Sequence, residues 1–110
     1  MKAKVPAKIR KLLKELKGGL VSMYGDRLKG LYLYGSYARG DYRQGSDVDV
    51  MILLADYDSY WKELELSTEL ASDLSLKYDI TLSRLIMKQI QWEKSDMPVL
   101  RNIHKDGFPA

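Results

Sequence analysis

The sequence predicts an α/β (α+β) protein: a small mixed sheet, three-stranded or slightly larger, flanked by about four helices. Two observations predict it. Long segments with apolar residues at i, i+3 and i+4 alternate with short β-prone runs, in the order α-β-(α)-β-α-β-α-α. The chain has 110 residues and reads as one domain spanning 1–110, with no repeats, linkers or low-complexity tracts.

Residues 6–24 read as a helix with Ile9, Leu12, Leu13, Leu16 and Leu20 on one stripe. Pro6 suits the first helical position and Gly25 the stop. The pair Gly18-Gly19 costs about 1 kcal/mol per residue relative to alanine in a helix interior, so two helical pieces are an alternative. Residues 31–34, Leu-Tyr-Leu-Tyr, read as a buried strand ended by Gly35. Residues 36–40 form a glycine-bounded turn opening a short helix, and 41–46 a polar loop. Residues 47–54 begin with alternation and turn continuously apolar, as in a strand buried on both faces at its far end. Residues 56–76 read as a second long helix, with Trp61, Leu64, Ala71 and Leu74 inward and Asp58 or Ser59 as cap. Residues 78–82 read as a third strand, and 84–95 and 98–106 as helices, the last opened by Pro98 and stopped by Gly107.

Composition excludes several classes of function. With 45% hydrophobic and 30% charged residues the chain is neither disordered nor a membrane span; its longest apolar run has six residues, against about 20 needed to cross a bilayer. The charged start lacks a signal peptide's apolar stretch. No cysteine is present, which removes disulfides, thiol catalysis and thiolate metal sites. The expected location is cytoplasmic. Net charge is +3, unevenly spread: residues 1–43 carry a net +8 and residues 44–110 a net −5. Such asymmetry marks a nucleic-acid surface, a solvated helix face, or a site where a basic segment meets an anion and an acidic one a cation.

The chemistry concentrates in Leu33-Tyr34-Gly35-Ser36 and, ten residues on, Asp47-Val48-Asp49-Val50. Asp47 and Asp49 are two apart on a strand and face the same way, about 7 Å apart at Cα. Two such carboxylates repel unless a cation or proton lies between them, and Mg²⁺ or Mn²⁺ suits oxygen ligands. An Asp-x-Asp pair alone carries little information; Asp56-Tyr57-Asp58 is a second one, read as helix capping. Context separates the first pair: aspartate is disfavoured in strands, and these two open one. Asp79, in the third β-prone run, supplies a third carboxylate if its strand lies beside the Asp47 strand. Three carboxylates suffice for two divalent ions. A strand ending in Gly35-Ser36 before a turn presents amides and a hydroxyl to an anion, although the pattern is not a P-loop. Arg39 and Arg43 lie in the intervening segment, within reach of phosphate oxygens. His104, the single histidine, reads as surface, and Trp61 and Trp92 as packing residues.

Gly35-Ser36-x10-Asp47-x-Asp49, with Asp79 as a later strand carboxylate, resembles the signature of the DNA polymerase β-like nucleotidyltransferase superfamily. The string Leu33-Tyr34-Gly35-Ser36-Tyr37-Ala38-Arg39-Gly40-Asp41, joined through a short loop to Gly45-Ser46-Asp47-Val48-Asp49-Val50, is similar to that of its minimal nucleotidyltransferases (MNT), among them the MntA-type antitoxins of HEPN/MNT toxin–antitoxin systems. The resemblance implies transfer of AMP from ATP to a hydroxyl of a HEPN toxin, a tyrosine by expectation. It implies Gly35 and Ser36 on the phosphates, Asp47, Asp49 and Asp79 on two Mg²⁺ ions, and no direct nucleic-acid or membrane partner. The small size favours an acceptor that brings its own binding surface, as a folded protein does. A contact-only antitoxin and a small-molecule nucleotidyltransferase are the alternatives.

Overall fold

The computed structural model describes residues 5–110; the first four residues of the domain expected over 1–110 lie outside the described residues. Helix α1 (Ala7–Tyr24) buries Ile9, Leu12, Leu13, Leu16 and Leu20, the stripe expected from spacing. It runs unbroken through Gly18-Gly19. The second glycine has a packing reason: a Cβ on Gly19 would lie 2.6 Å from Leu70 Cδ2, so α1 and the later helix that carries Leu70 approach closely there. A short 3₁₀ turn (Gly25–Arg27) leads into β1 (Leu28–Tyr34). Helix α2 (Ser36–Arg39) and a loop come next, then β2 (Val48–Leu54). Helix α3 (Tyr60–Tyr78) is capped by Ser59, whose hydroxyl accepts from the Lys62 amide. Strand β3 (Leu82–Lys88), α4 (Gln89–Lys94), α5 (Pro98–Asp106) and the short β4 (Phe108–Pro109) complete the described chain.

The sheet order is β3-β2-β1-β4. Strand β2 pairs antiparallel with β1 and parallel with β3, and β1 pairs antiparallel with β4. Both faces of β2 are covered, which explains its continuous apolar run. Val48, Val50, Ile52 and Leu54 face one core with α1 and α3. Met51 and Leu53 face a second core with Leu100 and Ile103 of α5. Asp49, by alternation, stands on the α5 side of the sheet.

Two expectations are corrected. The strand expected over 78–82 and the helix expected from 84 are shifted: α3 continues to Tyr78 and the strand occupies Leu82–Lys88. Asp79 adopts a left-handed backbone (φ 50°, ψ 53°) and ends the helix. Arg84 is carried inside β3 because its guanidinium donates to the Leu64 carbonyl (3.0 Å) and to the Ser67 hydroxyl of α3. Trp61, expected inward, is 73% exposed. Trp92 does pack inward, against Tyr32, with His104 stacked on it at 3.5 Å. Among the described residues no helix is long and apolar enough to cross a membrane.

Candidate active site

Strand β1 delivers Tyr34 directly opposite Asp49 of β2. The next residue, Gly35, has φ 76° and ψ −155°, a region essentially closed to other residues. A Cβ there would lie 2.2 Å from Asp49 Oδ2. Glycine is therefore required twice, by the backbone and by the carboxylate resting against it. Turning at Gly35 opens α2, whose Ala38 and Arg39 amides donate to the Gly35 carbonyl at 3.1 and 3.0 Å. The Ser36 and Tyr37 amides begin the helix, where no intrahelical acceptor exists.

The loop 40–47 is held by several contacts. The buried Tyr37 ring stacks on Tyr42 at 4.5 Å. Arg39 Nε donates to Asp41 Oδ2 at 3.2 Å. The Arg43 amide donates to Ser46 Oγ at 2.8 Å, and the Ser46 amide to the Arg43 carbonyl at 3.0 Å. This loop places Asp47, exposed, one residue before β2, and Asp49, half-buried, inside it. The two carboxylates interact. Burial first, then the Asp47 charge, pushes the Asp49 carboxyl above its usual range, and Arg39 opposes them. Tyr34 is likewise held in its protonated phenol form by burial and by the Asp49 charge.

A cleft of about 340 Å³ opens over these groups. One side is Tyr34, Gly35, Ser36, Arg39 and Asp49, and the other is Val99, Asn102 and Asp106 of α5. Gly35, Ser36, Arg39 and Asp49 thus meet as the sequence spacing suggested, with Asp47 coupled to Asp49. Arg43 does not line this cleft; its backbone closes the turn before Asp47. Asp79 does not join the pair either. Its left-handed conformation caps α3, and its side chain borders a different cleft of about 610 Å³ beside Gln44, Gly45 and Ser46. The β3 position facing Asp49 across the ladder is Ser83. Among the described residues no group of three or more His, Cys, Asp or Glu is arranged to hold a metal ion. The expected triad is therefore a pair.

That pair still fits a cation. Its donors are hard carboxylate oxygens, and the Asp49 one is partly desolvated and has its charge disfavoured by Asp47. Mg²⁺ commonly binds through one or two carboxylates and completes its shell with substrate phosphates and water. Asn102 and Asp106 were not among the expected site residues. A signal for them existed: Leu100 and Ile103 define the buried side of α5, which turns 99, 102 and 106 to a neighbouring stripe.

Comparisons with known proteins agree with the fold. The similarity extends well beyond the motif, along most of the chain: residues 9–107 match the family described as Nucleotidyltransferase domain. A Methanocaldococcus jannaschii protein provisionally named a protein adenylyltransferase is 43% identical over 81 residues, covering 74% of this chain and 81% of the relative. A second such protein from that organism is 33% identical over 98 residues, covering 88% and 92%. Among solved structures, a toxin–antitoxin complex with AMP-PNP has a chain that superposes with a TM-score of 0.57 at 25% identity, covering 93% of this chain and 68% of that one. A Sulfolobus solfataricus protein provisionally named a nucleotidyltransferase shares the fold, with a TM-score of 0.56 at 18% identity over 96% of this chain and 87% of that one. By motif, fold and relatives alike, the chain belongs to the nucleotidyltransferase domain family.

Proposed function

We propose that this nucleotidyltransferase moves AMP from ATP to a hydroxyl, a tyrosine by expectation, of a HEPN-type toxin, and so acts as its cytoplasmic antitoxin. The observation that carries the reading is Gly35 turning under the Asp49 carboxylate, so that this carboxylate, the Gly35-Ser36 turn and Arg39 line one cleft, with Asp47 two residues before Asp49. Support for the acceptor class comes from the relatives named protein adenylyltransferase. Support for the partner comes from a solved MntA–HpeT toxin–antitoxin structure, 27% identical with a TM-score of 0.56 over 93% of this chain and 70% of that one.

Each residue then has a task. The Ser36 and Tyr37 amides and the Ser36 hydroxyl hold phosphate oxygens, with the Arg39 guanidinium beside them. Asp47 and Asp49 would hold the divalent cation, Mg²⁺ or Mn²⁺. When bound, that cation neutralises triphosphate charge and makes a hydroxyl oxygen more acidic. The acceptor oxygen forms a bond to the α-phosphorus, the bond from that phosphorus to the bridging oxygen breaks, and pyrophosphate leaves. The hydroxyl proton passes to water. Arg43 contributes by shaping the turn that carries Asp47.

The test is intact-mass measurement of the partner toxin after incubation with catalytic amounts of this chain, ATP and Mg²⁺. A gain of one or more AMP units, absent with Asp49→Ala, is expected. Neutralisation of the toxin without a mass change would refute the reading in favour of inhibition by contact. Labelling of small hydroxylated compounds in place of the toxin would refute it in favour of a small-molecule enzyme.

A further inference from the structure

Helix α5 sits on the same side of the sheet as Asp49 and forms the second wall of the cleft. Its orientation is fixed by two buried residues, Leu100 and Ile103, and by the short segment after its last turn. Gly107 lies so close to β1 that a Cβ there would be 3.0 Å from the Leu33 carbonyl and 2.7 Å from that of Ile103. Phe108 then pairs with Leu33. The end of α5 is therefore pinned beside the strand that leads into Gly35, and Asp106 is held at the phosphate end of the cleft. Asn102 and Val99, one and two turns earlier, continue along the same wall.

The chemistry of this stripe is ordered. Next to the Gly35-Ser36 turn stands Asp106, an acceptor that repels phosphate. A ribose, with its two hydroxyl donors, suits it. One turn further, Asn102 offers both donor and acceptor, the combination that pairs with the edge of a base. Beyond it, Val99 offers an apolar surface for a base face. The rise from Asp106 to Val99 is about 10 Å, the scale of a nucleoside extended away from its phosphates. The volume of about 340 Å³ lies at the lower end of small-ligand sites, enough for a nucleoside and not for the acceptor as well. Asp106 is not a substitute for the missing third carboxylate, since it forms no metal-binding group with the Asp47–Asp49 pair.

We infer that α5 is the nucleoside-reading wall of the active site, with Asp106 accepting from the ribose hydroxyls and Asn102 contacting the base edge. This rests on the nucleotidyl-transfer reading above, and assigns within it the residues that choose the nucleotide.

The test uses full-length chain, Mg²⁺, the partner toxin, and ATP, GTP, CTP, UTP and 3′-deoxy-ATP as donors, with melts confirming that each variant folds. Asp106→Asn is expected to raise the KM for ATP about tenfold with little change in kcat, and to reduce the penalty for 3′-deoxy-ATP. Asn102→Ala is expected to narrow the preference among the four bases about tenfold while the ribose penalty stays. Parental KM and parental donor preference in both variants would overturn the inference. So would a fall in kcat at constant KM for Asp106→Asn, which would place that carboxylate in the chemistry. Failure of the parent itself to transfer from any of the donors would instead refute the nucleotidyl-transfer reading.

Discussion

Replacing Gly35 with alanine separates two costs that the structure superimposes at one atom. The first is backbone. A non-glycine residue at φ 76°, ψ −155° is strained by about 1–3 kcal/mol. At about 4 °C of melting temperature per kcal/mol for a domain of this size, that is a loss of roughly 4–12 °C. The second is steric. The new methyl would lie 2.2 Å from Asp49 Oδ2, far inside contact distance. Strand β2 cannot retreat, because β1 and β3 flank it on both sides. The Asp49 side chain must rotate instead, and a displaced group on this scale costs about a hundredfold in rate. A double-mutant cycle divides the two. In an Asp49→Ala background the steric part vanishes and the backbone part stays, so Gly35→Ala costs less there than in the parent. Thermal melts give the stabilities in both backgrounds, and the rate of AMP transfer to the toxin, read with Asp49 in place, gives the activity. A Gly35→Ala protein with parental melting temperature and rate would refute the packing of Gly35 beneath Asp49. Equal costs in the two backgrounds would refute the contact between residue 35 and that carboxylate.

Three other outcomes are expected. Asp79→Gly should preserve AMP transfer and raise stability by about 1 kcal/mol, because glycine relieves the left-handed backbone at the end of α3; loss of transfer in a folded variant would return Asp79 to the catalytic set. Gly18→Ala should stabilise α1 by about 1 kcal/mol, since a Cβ there meets nothing within 4 Å, whereas Gly19→Leu should destabilise the protein by crowding Leu70; opposite signs in melts would refute the crossing geometry. Glu15 accepts from Lys77 and from Tyr78, and these bonds, Lys77 foremost, lower its proton affinity. A lowered acid stabilises the fold above its unfolded value of 4.5, and that stabilisation is lost as pH falls through the lowered native value. Glu15→Gln should therefore melt below the parent at pH 7, with the difference shrinking as pH falls below 4.5 through the lowered native value; a difference that stays constant through that fall would refute the linkage.

Most of the helical architecture was legible from spacing, because α1 buries a single stripe and α5 is bounded by Pro98 and Gly107. The Asp47–Asp49 pair and the Gly35-Ser36 turn were legible for a similar reason: they are close in sequence and joined by one loop. What escaped was set by tertiary context. Asp79 resembles a strand residue, since Tyr78-Asp79-Ile80-Thr81-Leu82 alternates, yet α3 packs far enough along the sheet to absorb Tyr78 and leave Asp79 as its cap. Strand β3 reads as helix from residue 84 because Arg84 interrupts its apolar run; only the Leu64 carbonyl and Ser67 hydroxyl, distant in sequence, explain an arginine there. Strand β4 has two residues, too few for any periodicity. Asn102 and Asp106 are ordinary polar residues until β4 fixes where α5 ends.

The pinning of Gly107 against Leu33 also divides the cleft by ancestry of its parts along the chain. One wall is a contiguous stretch from Tyr34 to Asp49, folded on itself by two neighbouring strands; the other comes from a helix some fifty residues later. Variation on the exposed stripe of α5 leaves the hairpin-like half intact, and variation in the hairpin-like half leaves the helix anchored by Leu100 and Ile103. Evolution and protein engineering can therefore retune donor choice by exchanging a few helical side chains without rebuilding the reactive centre.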